Sequence, residues 1–421
     1  MTYAIIGLGK TGYSVAQFLA RENVPFIVMD SRQNPPDLLN FQKAFPTIQT
    51  HFGQFNFELL THLEKIILSP GIDPAPFILQ LGAEKIYSDI DLFAQKAKAP
   101  IIGITGTNAK GTVTTLLGDM ITASGLTPVI GGNIGIPALD LLLNKTPDYY
   151  VLELSSFQLE ISHSIPFLAS TILNITPDHL DRHITIEKYI QAKQKIYLNT
   201  TNAIYNRDDL NTKPQHSVTN SYSFGLSPSP HLNETYPALI QLLNIKGKHN
   251  ILNALAAISL GTALHLPLES MITAIKNFKG LEHRCEWLGF KYDVQWINDS
   301  KGTNIGATLA ALEGFGSELQ SGQKIILILG GLSKNQDFSL LKNTVHKYTR
   351  EIILIGQDAP LIHQALKKGI FADSLTHAVM LAKQHAHKND MVLFSPACAS
   401  FDMFKGFEDR GNQFKLLVNS L

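Results

Sequence analysis

The chain has 421 residues, of which 44 % are hydrophobic and 17 % are charged, so it can bury sizeable cores, and two or three domains are expected. Its 35 basic and 35 acidic residues cancel, which argues against nucleic acid as a partner, because backbone phosphates are bound through a basic excess. The chain has only two cysteines, which excludes a disulfide scaffold. It shows no signal-peptide pattern and no apolar run long enough to cross a bilayer, so a cytoplasmic protein without membrane insertion is predicted.

The first predicted elements form a βαβ unit around a glycine turn. A strand at 3–6 leads into Gly7-x-Gly9-x-x-Gly12, a helix follows to about residue 21, and a strand at 26–29 ends at Asp30. This order is typical of a dinucleotide fingerprint, in which glycines let the backbone approach a diphosphate and the helix N-terminus favours its charge. A tight turn without a ligand fits the same residues, and Asp30 fits a surface cap as well as a ribose contact. A further strand at 66–68 stops at another turn.

A second glycine-rich turn, from Gly106 to Thr112, lies between a predicted strand at 100–105 and a predicted helix at 113–124. It resembles a P-loop without the strict Walker spacing: backbone N–H groups would surround phosphates, Lys110 would offset their charge, and a hydroxyl would reach Mg²⁺. Glu153 lies in a strand at 149–154, and His179 follows a strand at 170–174. Both could serve Mg²⁺, although a lone glutamate is usually solvated or paired and a lone loop histidine usually forms hydrogen bonds.

The rest of the chain returns to alternating elements after an irregular stretch. Short strands and loops are expected at 214–237, and a helix at 250–264. Strands at 293–297, 324–329, 351–355 and 391–394 then alternate with helices. This alternation predicts parallel sheets with covered faces and therefore the α/β fold class. We expect domains at 1–92, 93–280 and 281–421.

Segments along almost the whole chain resemble the Mur ligase family. The shared segments are 106–110, 131–135, 152–159, 178–182 and 247–254. Within the family, the segments 296–304 and 393–404 resemble the type that adds D-glutamate. The resemblance implies an N-terminal Rossmann-like domain that binds the UDP part of a substrate, a central P-loop ATPase-type domain, and a C-terminal Rossmann-like domain that binds the amino acid.

The activity that the resemblance implies is the ATP-dependent, ADP-forming ligation of D-glutamate to UDP-N-acetylmuramoyl-L-alanine through an acyl phosphate. It would serve cytoplasmic peptidoglycan precursor synthesis, and with it cell-wall biogenesis, cell shape and cell division. The implied cofactors are Mg²⁺ and a CO₂-derived carbamate on Lys193, with ATP as co-substrate. No nucleic-acid partner is expected, and a monomer is expected.

The resemblance also implies site residues. For the UDP-substrate they are Thr11, Asp30, Ser31, Arg32, Ser69, Pro70, Gly71 and Asn133. For ATP they are Gly106, Thr107, Asn108, Ala109, Lys110, Gly111, Thr112, Asn250, Asn253, Arg284, Asp299 and Lys301. For D-glutamate they are Thr303, Lys334, Ser400, Phe401 and Phe407. The implied catalytic residues are Lys110, Glu153, His179 and Lys193, and the implied metal ligands are Thr112, Glu153, His179 and Lys193 as its carbamate.

Three residues depart from the family pattern. Lys10 stands where an apolar residue is common, Ala109 where glycine is usual, and Gly111 where serine or threonine is usual. Ala109 puts the positive φ of the loop in question, because alanine reaches that region less readily than glycine. Since Gly111 has no side chain, Thr112 is expected to supply the hydroxyl.

The residues themselves leave other interpretations open. The pattern around Lys193 alone predicts a solvated helix lysine. Taken alone, Lys334 fits a solvated turn lysine, Ser400 a helix cap and Phe407 a core residue. Asp178 and Asp181 are predicted to be loop caps.

Three rival functions fit part of the sequence. A folylpolyglutamate synthase has related ATP motifs but lacks an N-terminal diphosphate-binding domain of this kind. An NAD(P) oxidoreductase explains glycines 7–12 but leaves Lys110 and the segment 299–304 unexplained. A catalytically inactive nucleotide-binding protein fits Ala109 and Gly111.

Overall fold

The structure, a computed structural model, describes residues 2–143, 145–227, 248–333 and 336–421. Three β-sheets with helices between their strands make the chain an α/β protein, as predicted. In the part of the chain described, no helix is both long enough and apolar enough to cross a membrane.

The first sheet has five parallel strands in the order β3-β2-β1-β4-β5. The strands are β1 (Tyr3–Ile6), β2 (Phe26–Asp30), β3 (Thr50–Phe52), β4 (Lys65–Leu68) and β5 (Ile86–Tyr87). The helices are α1 (Lys10–Arg21), α2 (Leu38–Ala44), α3 (Phe57–Thr61), α4 (Ala75–Leu81) and α5 (Asp89–Lys96). Every residue of β2 is buried, as expected for a parallel strand that is covered on both faces. The strand order reverses at β1, which brings the turns after β1 and β4 together.

The second sheet has six parallel strands in the order β11-β10-β9-β6-β8-β7. The strands are β6 (Ile101–Thr105), β7 (Pro128–Gly132), β8 (Tyr149–Glu153), β9 (Phe167–Ile172), β10 (Thr200–Asn206) and β11 (Asn220–Phe224). The helices are α6 (Lys110–Ala123), α7 (Ser156–Ile161), α8 (Leu180–His183), α9 (Ile186–Gln194), α10 (Lys248–Ala263) and α11 (Leu268–Asn277). The strand predicted at 170–174 therefore begins and ends earlier. Residues 228–237 of the stretch expected to hold short strands and loops lie outside the described residues.

The third sheet has the order β12-β13-β17-β14-β15-β16. The strands are β12 (Glu286–Lys291), β13 (Val294–Asn298), β14 (Ile325–Gly330), β15 (Thr349–Ile355), β16 (Ile370–Phe371) and β17 (Met391–Phe394). The helices are α12 (Ile305–Gly316), α13 (Lys342–Tyr348), α14 (Ala359–Leu366), α15 (Leu375–His385) and α16 (Phe407–Asn419). Successive side chains of β14 point to opposite faces of the sheet and so enter two different cores. Leu327 and Leu329 pack in one core, and Ile326 and Ile328 pack in the other.

One strand of this sheet differs from the expectation of parallel pairing. β12 runs antiparallel to β13 and forms a hairpin with it at the sheet edge. The described strand pairs β13–β17, β17–β14, β14–β15 and β15–β16 are parallel.

The described chain forms two compact units. The first holds residues 2–143, 145–175, 187–227 and 255–274, and the second holds 176–186, 248–254, 275–333 and 336–421. Strands β1–β11 thus lie in the first unit and β12–β17 in the second. The predicted domain boundaries at 92/93 and 280/281 stay predictions, and the first of them falls inside α5.

Candidate active site

The glycine turn after β1 is built for close backbone packing. Gly7 has φ +93°, and a Cβ on Gly12 would lie 1.9 Å from the Gly7 carbonyl oxygen, so neither position suits a larger residue. The Ser69 hydroxyl, after β4, donates to the same carbonyl at 2.9 Å. Thr11 is half-buried in the first turn of α1. The carboxyl ends of β1 and β4 therefore form one edge, where α/β proteins bind ligands.

Asp30, at the end of β2, is buried and forms hydrogen bonds that hold this edge together. Its carboxylate accepts hydrogen bonds from the Leu8 N–H at 2.7 Å and from Arg32 Nε and Nη2 at 2.8 and 2.7 Å. Burial opposes ionisation of Asp30, but the Arg32 and backbone hydrogen bonds outweigh it and lower its pKa. The surface-cap interpretation is wrong, since Asp30 is fully buried. Ser31, Arg32 and Gly71 are exposed at the same edge, beside the half-buried Pro70.

Lys10 begins α1 and is exposed. Its Nζ donates to the Gly135 carbonyl at 2.5 Å, and Ser14, one turn later, donates to Asp140 at 2.7 Å. One face of α1 thus contacts the segment that follows β7. The departure from an apolar residue at position 10 gives this turn a hydrogen bond to the segment that contains Asn133.

The loop 106–112 connects β6 to α6 in a P-loop-like geometry. Ala109 is the residue before the helix and takes the left-handed conformation, with φ 66° and ψ 0°. The non-glycine residue has therefore not changed the backbone path that glycine would favour, but it adopts that path with strain. Gly111 and Thr112 follow in the first turn of α6 and are buried.

Two lysines converge on one carbonyl oxygen of this loop. Lys110 Nζ donates to the Gly106 and Thr107 carbonyls at 2.9 and 3.0 Å. Lys193 Nζ donates to the same Gly106 carbonyl at 2.9 Å and lies 3.3 Å from Thr105 Oγ1. Two cations so close together favour an anion nearby or a change of charge on one of them.

Lys193 is buried, so the solvated-lysine interpretation is wrong. Only 1 % of it is exposed, and its Nζ lies 4.6 Å from the centre of the Tyr189 ring. The reason is the face of α9 on which it lies, where Tyr189, Ala192 and Lys193 are all buried. Residues three and four positions apart share one face of a helix, so an amine is carried inward with its apolar neighbours.

Glu153 ends β8 and offers a carboxylate oxygen for a cation. The side chain is 4 % exposed, and its Oε1 accepts from Asn133 Nδ2 at 2.6 Å. Its Oε2 is buried and accepts no hydrogen bond from any residue in the described ranges. A buried carboxylate oxygen is costly without a partner, and Mg²⁺ prefers oxygen ligands, so the residue fits a magnesium ion. Across the described residues, no three His, Cys, Asp or Glu side chains gather as a ready-made metal site.

His179 lies in the second unit, whereas Glu153 and Lys193 lie in the first. It has a left-handed backbone with φ 54°, and its N–H donates to Asp178 Oδ1 at 2.9 Å. The other oxygen of Asp178 accepts from Asn304 Nδ2 at 3.0 Å. Asp178 therefore joins the His179 turn to the N-cap residue of α12.

The predicted ATP residues of the second unit lie on two elements. Asn250 and Asn253 are buried on one face of α10 and share a hydrogen bond of 3.2 Å. Asp299 follows β13, where Ser395 Oγ donates to it at 2.7 Å and the Cys285 N–H at 3.2 Å. Burial raises the Asp299 pKa to about 6, against these hydrogen bonds and the charge of Arg284.

The predicted D-glutamate residues are spread over the same edge of the third sheet. Phe407 begins α16 half-buried, and its ring centre lies 3.7 Å from Lys301 Nζ, so it is a contact of that lysine rather than a core residue. Ser400 is buried and Phe401 is 73 % exposed. The Thr303 N–H donates to the Lys301 carbonyl at 2.8 Å. Lys334 lies outside the described residues.

Asn174 is a site residue that the sequence analysis did not single out. Its carbonyl accepts from the Thr107 N–H and its Oδ1 from the Asn108 N–H, both at 2.9 Å. It therefore fixes the middle of the phosphate loop from the end of the neighbouring strand. Its position just after a strand, at the ligand-binding edge of the sheet, is the signal that could have found it.

Comparisons with known proteins identify the family. The family model described as Mur ligase MurD-like, N-terminal domain, matches residues 1–87, the Mur ligase middle domain matches 104–261, and the Mur ligase glutamate ligase domain matches 283–398. The chain is 45 % identical over 439 residues to UDP-N-acetylmuramoylalanine--D-glutamate ligase of Coxiella burnetii (strain RSA 331 / Henzerling II), covering 99 % of this chain and 98 % of that protein. The chain belongs to the Mur ligase family.

Two further relatives with the same name are equally similar. The protein of Legionella pneumophila (strain Paris) is 44 % identical, with 100 % of this chain and 99 % of that protein covered. The protein of Acinetobacter baylyi is 46 % identical, with 99 % and 98 % covered.

Solved structures of Mur ligases share the fold. A UDP-N-acetylmuramate-alanine ligase, MurC, from Thermotoga maritima has a TM-score of 0.61 at 18 % identity, covering 100 % of this chain and 99 % of that chain. A MurF ligase from the same organism, in complex with ADP, has a TM-score of 0.62 at 15 % identity, covering 99 % and 95 %. The three-sheet architecture is therefore that of the family.

Proposed function

We propose that the chain catalyses the ATP-dependent, ADP-forming ligation of D-glutamate to UDP-N-acetylmuramoyl-L-alanine, in cytoplasmic peptidoglycan precursor synthesis. The observation that carries the proposal is the identity of 44–46 % to three D-glutamate ligases over at least 99 % of this chain. We further propose that it acts as a monomer with the domain boundaries 1–92, 93–280 and 281–421.

The UDP part of the substrate is assigned to the edge of the first sheet. Thr11, Ser69, Pro70 and Gly71 would contact it beside the glycine turn, where backbone N–H groups and the start of α1 favour a diphosphate. Asp30 would act there chiefly by holding Arg32, whose exposed guanidinium can meet a phosphate or the uridine. Asn133 is assigned to the muramoyl part.

The first chemical step activates the substrate carboxylate. Its oxygen attacks the γ-phosphorus of ATP, the bond to the bridging oxygen breaks, and ADP leaves with that electron pair. The loop 106–112 would hold the phosphates, with the Lys110 cation beside the transferred group. Asn250, Asn253, Arg284, Asp299 and Lys301 are the proposed nucleotide contacts of the second unit.

The second step forms the amide. The ammonium group of D-glutamate loses a proton, and the resulting amine attacks the acyl carbon. The tetrahedral intermediate then releases a second proton from the nitrogen and expels inorganic phosphate. Thr303, Lys334, Ser400, Phe401 and Phe407 are assigned to the amino acid, which they must orient so that the amine meets the acyl carbon.

Magnesium is assigned to Thr112, Glu153, His179 and a carbamate on Lys193. The donor-free Oε2 of Glu153 supports this assignment. When bound, the ion offsets negative charge on the phosphoryl group. The carbamate forms when the neutral amine of Lys193 attacks CO₂ and releases a proton. This modification replaces one of the two cations at the Gly106 carbonyl with an anionic oxygen donor.

The reaction itself is the test. Purified protein is expected to release ADP and phosphate when UDP-N-acetylmuramoyl-L-alanine, D-glutamate, ATP and Mg²⁺ are all present, and not when any one is left out. L-glutamate should fail, because a pocket that orients the amine of one enantiomer misplaces that of the other. Lys110→Ala, checked for folding by circular dichroism, should abolish the release.

Each rival function has its own outcome in this assay. Equal turnover with L-glutamate, or with a folate substrate, contradicts the assignment. Oxidation of NADPH without ATP use favours an oxidoreductase, and ATP binding without any turnover favours an inactive nucleotide-binding protein.

A further inference from the structure

Arg410 is a buried cation in the second unit. It lies in the first turn of α16, and 1 % of it is exposed. No carboxylate in the described part of the chain forms a salt bridge with it. Taking a guanidinium out of water without an ion-pair partner costs stability, and an apolar side chain of similar volume would avoid that cost. Its presence therefore calls for an explanation beyond packing.

The hydrogen bonds of Arg410 reach two turns at the carboxyl edge of the sheet. After β13, Ser300 receives two of them, from Nε to its hydroxyl at 3.0 Å and from Nη2 to its carbonyl at 2.8 Å. After β17, the Cys398 carbonyl accepts from Nη2 at 3.1 Å and the Ala399 carbonyl from Nη1 at 3.3 Å. Three carbonyls and a hydroxyl thus surround one planar fork, a geometry that an ammonium cannot satisfy.

A third turn packs on the same group. A Cβ on Gly331, directly after β14, would lie 3.3 Å from Arg410 Nη1 and 2.3 Å from the Ala399 carbonyl oxygen. Strands β13, β17 and β14 are neighbours and run parallel, so their ends lie side by side. Arg410 therefore donates hydrogen bonds at two adjacent strand ends and lies close to a third.

The residues next to these contacts are the ones assigned to the two substrates of this domain. Ser300 lies between Asp299 and Lys301, the proposed ATP contacts, and Ala399 precedes Ser400, a proposed D-glutamate contact. The Ser300 hydroxyl also donates to the carbonyl of Phe407 at 2.9 Å, which links the same network to a second D-glutamate residue.

We propose that Arg410 is a positioning residue that holds the ATP turn 299–301 and the amino-acid turn 398–400 in one fixed arrangement. It touches neither substrate and acts through backbone carbonyls. The inference rests on the proposed function, because it takes the assignment of these turns from it. Its consequence is that ATP and D-glutamate binding depend on one side chain, whereas UDP-substrate binding does not.

The test is a steady-state comparison of Arg410→Met and Arg410→Lys with the parent. Both variants should lower kcat/KM for D-glutamate by about 100-fold, because small misplacements near the reacting atoms have effects of that size. Their KM for ATP should rise as well, while their KM for UDP-N-acetylmuramoyl-L-alanine stays within about twofold. Lysine should not rescue, since it cannot replace the fork.

Arg350→Met is the matched control. Arg350 belongs to the same sheet but pairs with Asp390 at 2.6 Å, before the first residue of β17 and so at the opposite edge. It should lower the unfolding temperature and leave all three KM values unchanged. Ser300→Ala is a smaller change and should raise the KM values for ATP and D-glutamate, as Arg410→Met does. If the arginine variants do not fold, Ser300→Ala tests the inference in their place.

The outcomes are distinct. Lower stability with unchanged KM values for ATP and D-glutamate in the arginine variants, or an equal rise in all three KM values, would overturn the inference. A parent protein that does not turn over the three substrates contradicts the proposed function instead.

Discussion

Ala109 shows how one residue can keep a loop geometry at a cost. It takes the left-handed region at φ 66°, where a Cβ costs about 1–2 kcal/mol relative to the right-handed region. Ala109→Gly relieves that strain, but it also gives the unfolded chain about 0.4–1 kcal/mol more conformational entropy to lose. We therefore expect the free energy of unfolding to stay level or rise by about 1 kcal/mol, measured by urea titration.

The control for this substitution lies in the same helix. Ala123, in the last turn of α6, is exposed and has ordinary backbone angles, so Ala123→Gly should lower stability by about 0.5–1 kcal/mol. If Ala109→Gly destabilises the protein as much as Ala123→Gly does, the conformation of Ala109 is not strained.

Lys193 carries the second prediction at the residue scale. Lys193→Ala should lose nearly all activity, because it removes the proposed anionic ligand from the phosphate loop. Acetate should restore part of it by filling the space with a carboxylate, and removal of bicarbonate should lower the activity of the parent. Intact-protein mass under CO₂ provides a measurement that is independent of turnover.

The control is Lys195→Ala, two residues later. Lys195 Nζ donates to the Glu160 carbonyl at 2.6 Å, so its loss should reduce stability without acetate-dependent rescue. Near-normal turnover by Lys193→Ala, or an active parent whose mass shows only the bare amine, contradicts the carbamate.

The sequence predicted the places of Lys110 and Glu153 in the fold better than it predicted the contacts around them. Lys110 starts the helix after the β6 turn and Glu153 ends β8, close to where the sequence placed them. Periodicity places Lys193 on the buried face of α9, but its residue type pointed the other way, because a lysine on an amphipathic helix is normally solvated. Its partner, the Gly106 carbonyl, lies 87 positions away in the sequence. The positive φ of Ala109 could not be predicted from the sequence either, because alanine disfavours that region.

At the scale of elements, the start of α5 holds a buried acid whose protonation affects stability. Burial and the charge of Asp91 raise the Asp89 pKa to about 7, with Gln158 as a hydrogen-bond partner. The unfolded value is about 4, so the folded state binds the extra proton, and stability from Asp89 is present at low pH and lost as pH rises through about 7. Asp89→Asn should therefore gain stability relative to the parent between pH 5.5 and pH 8.

The size of that gain is bounded by proton linkage. A single carboxyl changes the free energy of unfolding by at most about 1.4 kcal/mol per pH unit within this window. Urea titrations at the two pH values measure it, with Glu58→Gln, an exposed carboxylate of α3, as the control. A difference between Asp89→Asn and parent that is the same at both pH values contradicts the prediction.

The hairpin β12–β13 shows where element prediction failed. Its two-residue turn is Tyr292-Asp293, with φ 53° and 60°, the conformation of a type I′ turn. Such turns are recognised in sequences by Asn-Gly or Asp-Gly, so the signal was missing. The parallel strands were predicted from fully buried apolar runs such as that of Ile325–Gly330. β12 is half-exposed instead, and its short apolar run is interrupted by Gly289.

At the scale of the whole molecule, the two compact units can be followed separately, because both tryptophans of the chain lie in the second unit. Trp296 is buried in β13, so its fluorescence should report the unfolding of that unit, while far-ultraviolet circular dichroism reports both. UDP is assigned to the first unit, and at 100 times its Kd it should stabilise that unit by about 2.7 kcal/mol. We expect UDP to raise the urea midpoint of a circular dichroism transition and to leave the tryptophan transition in place.

Uridine, which lacks the diphosphate, is the control and should shift neither transition as far. Equal shifts in both signals would mean that the units unfold as one, and no shift in either would contradict the assignment of UDP to the turn that follows β1.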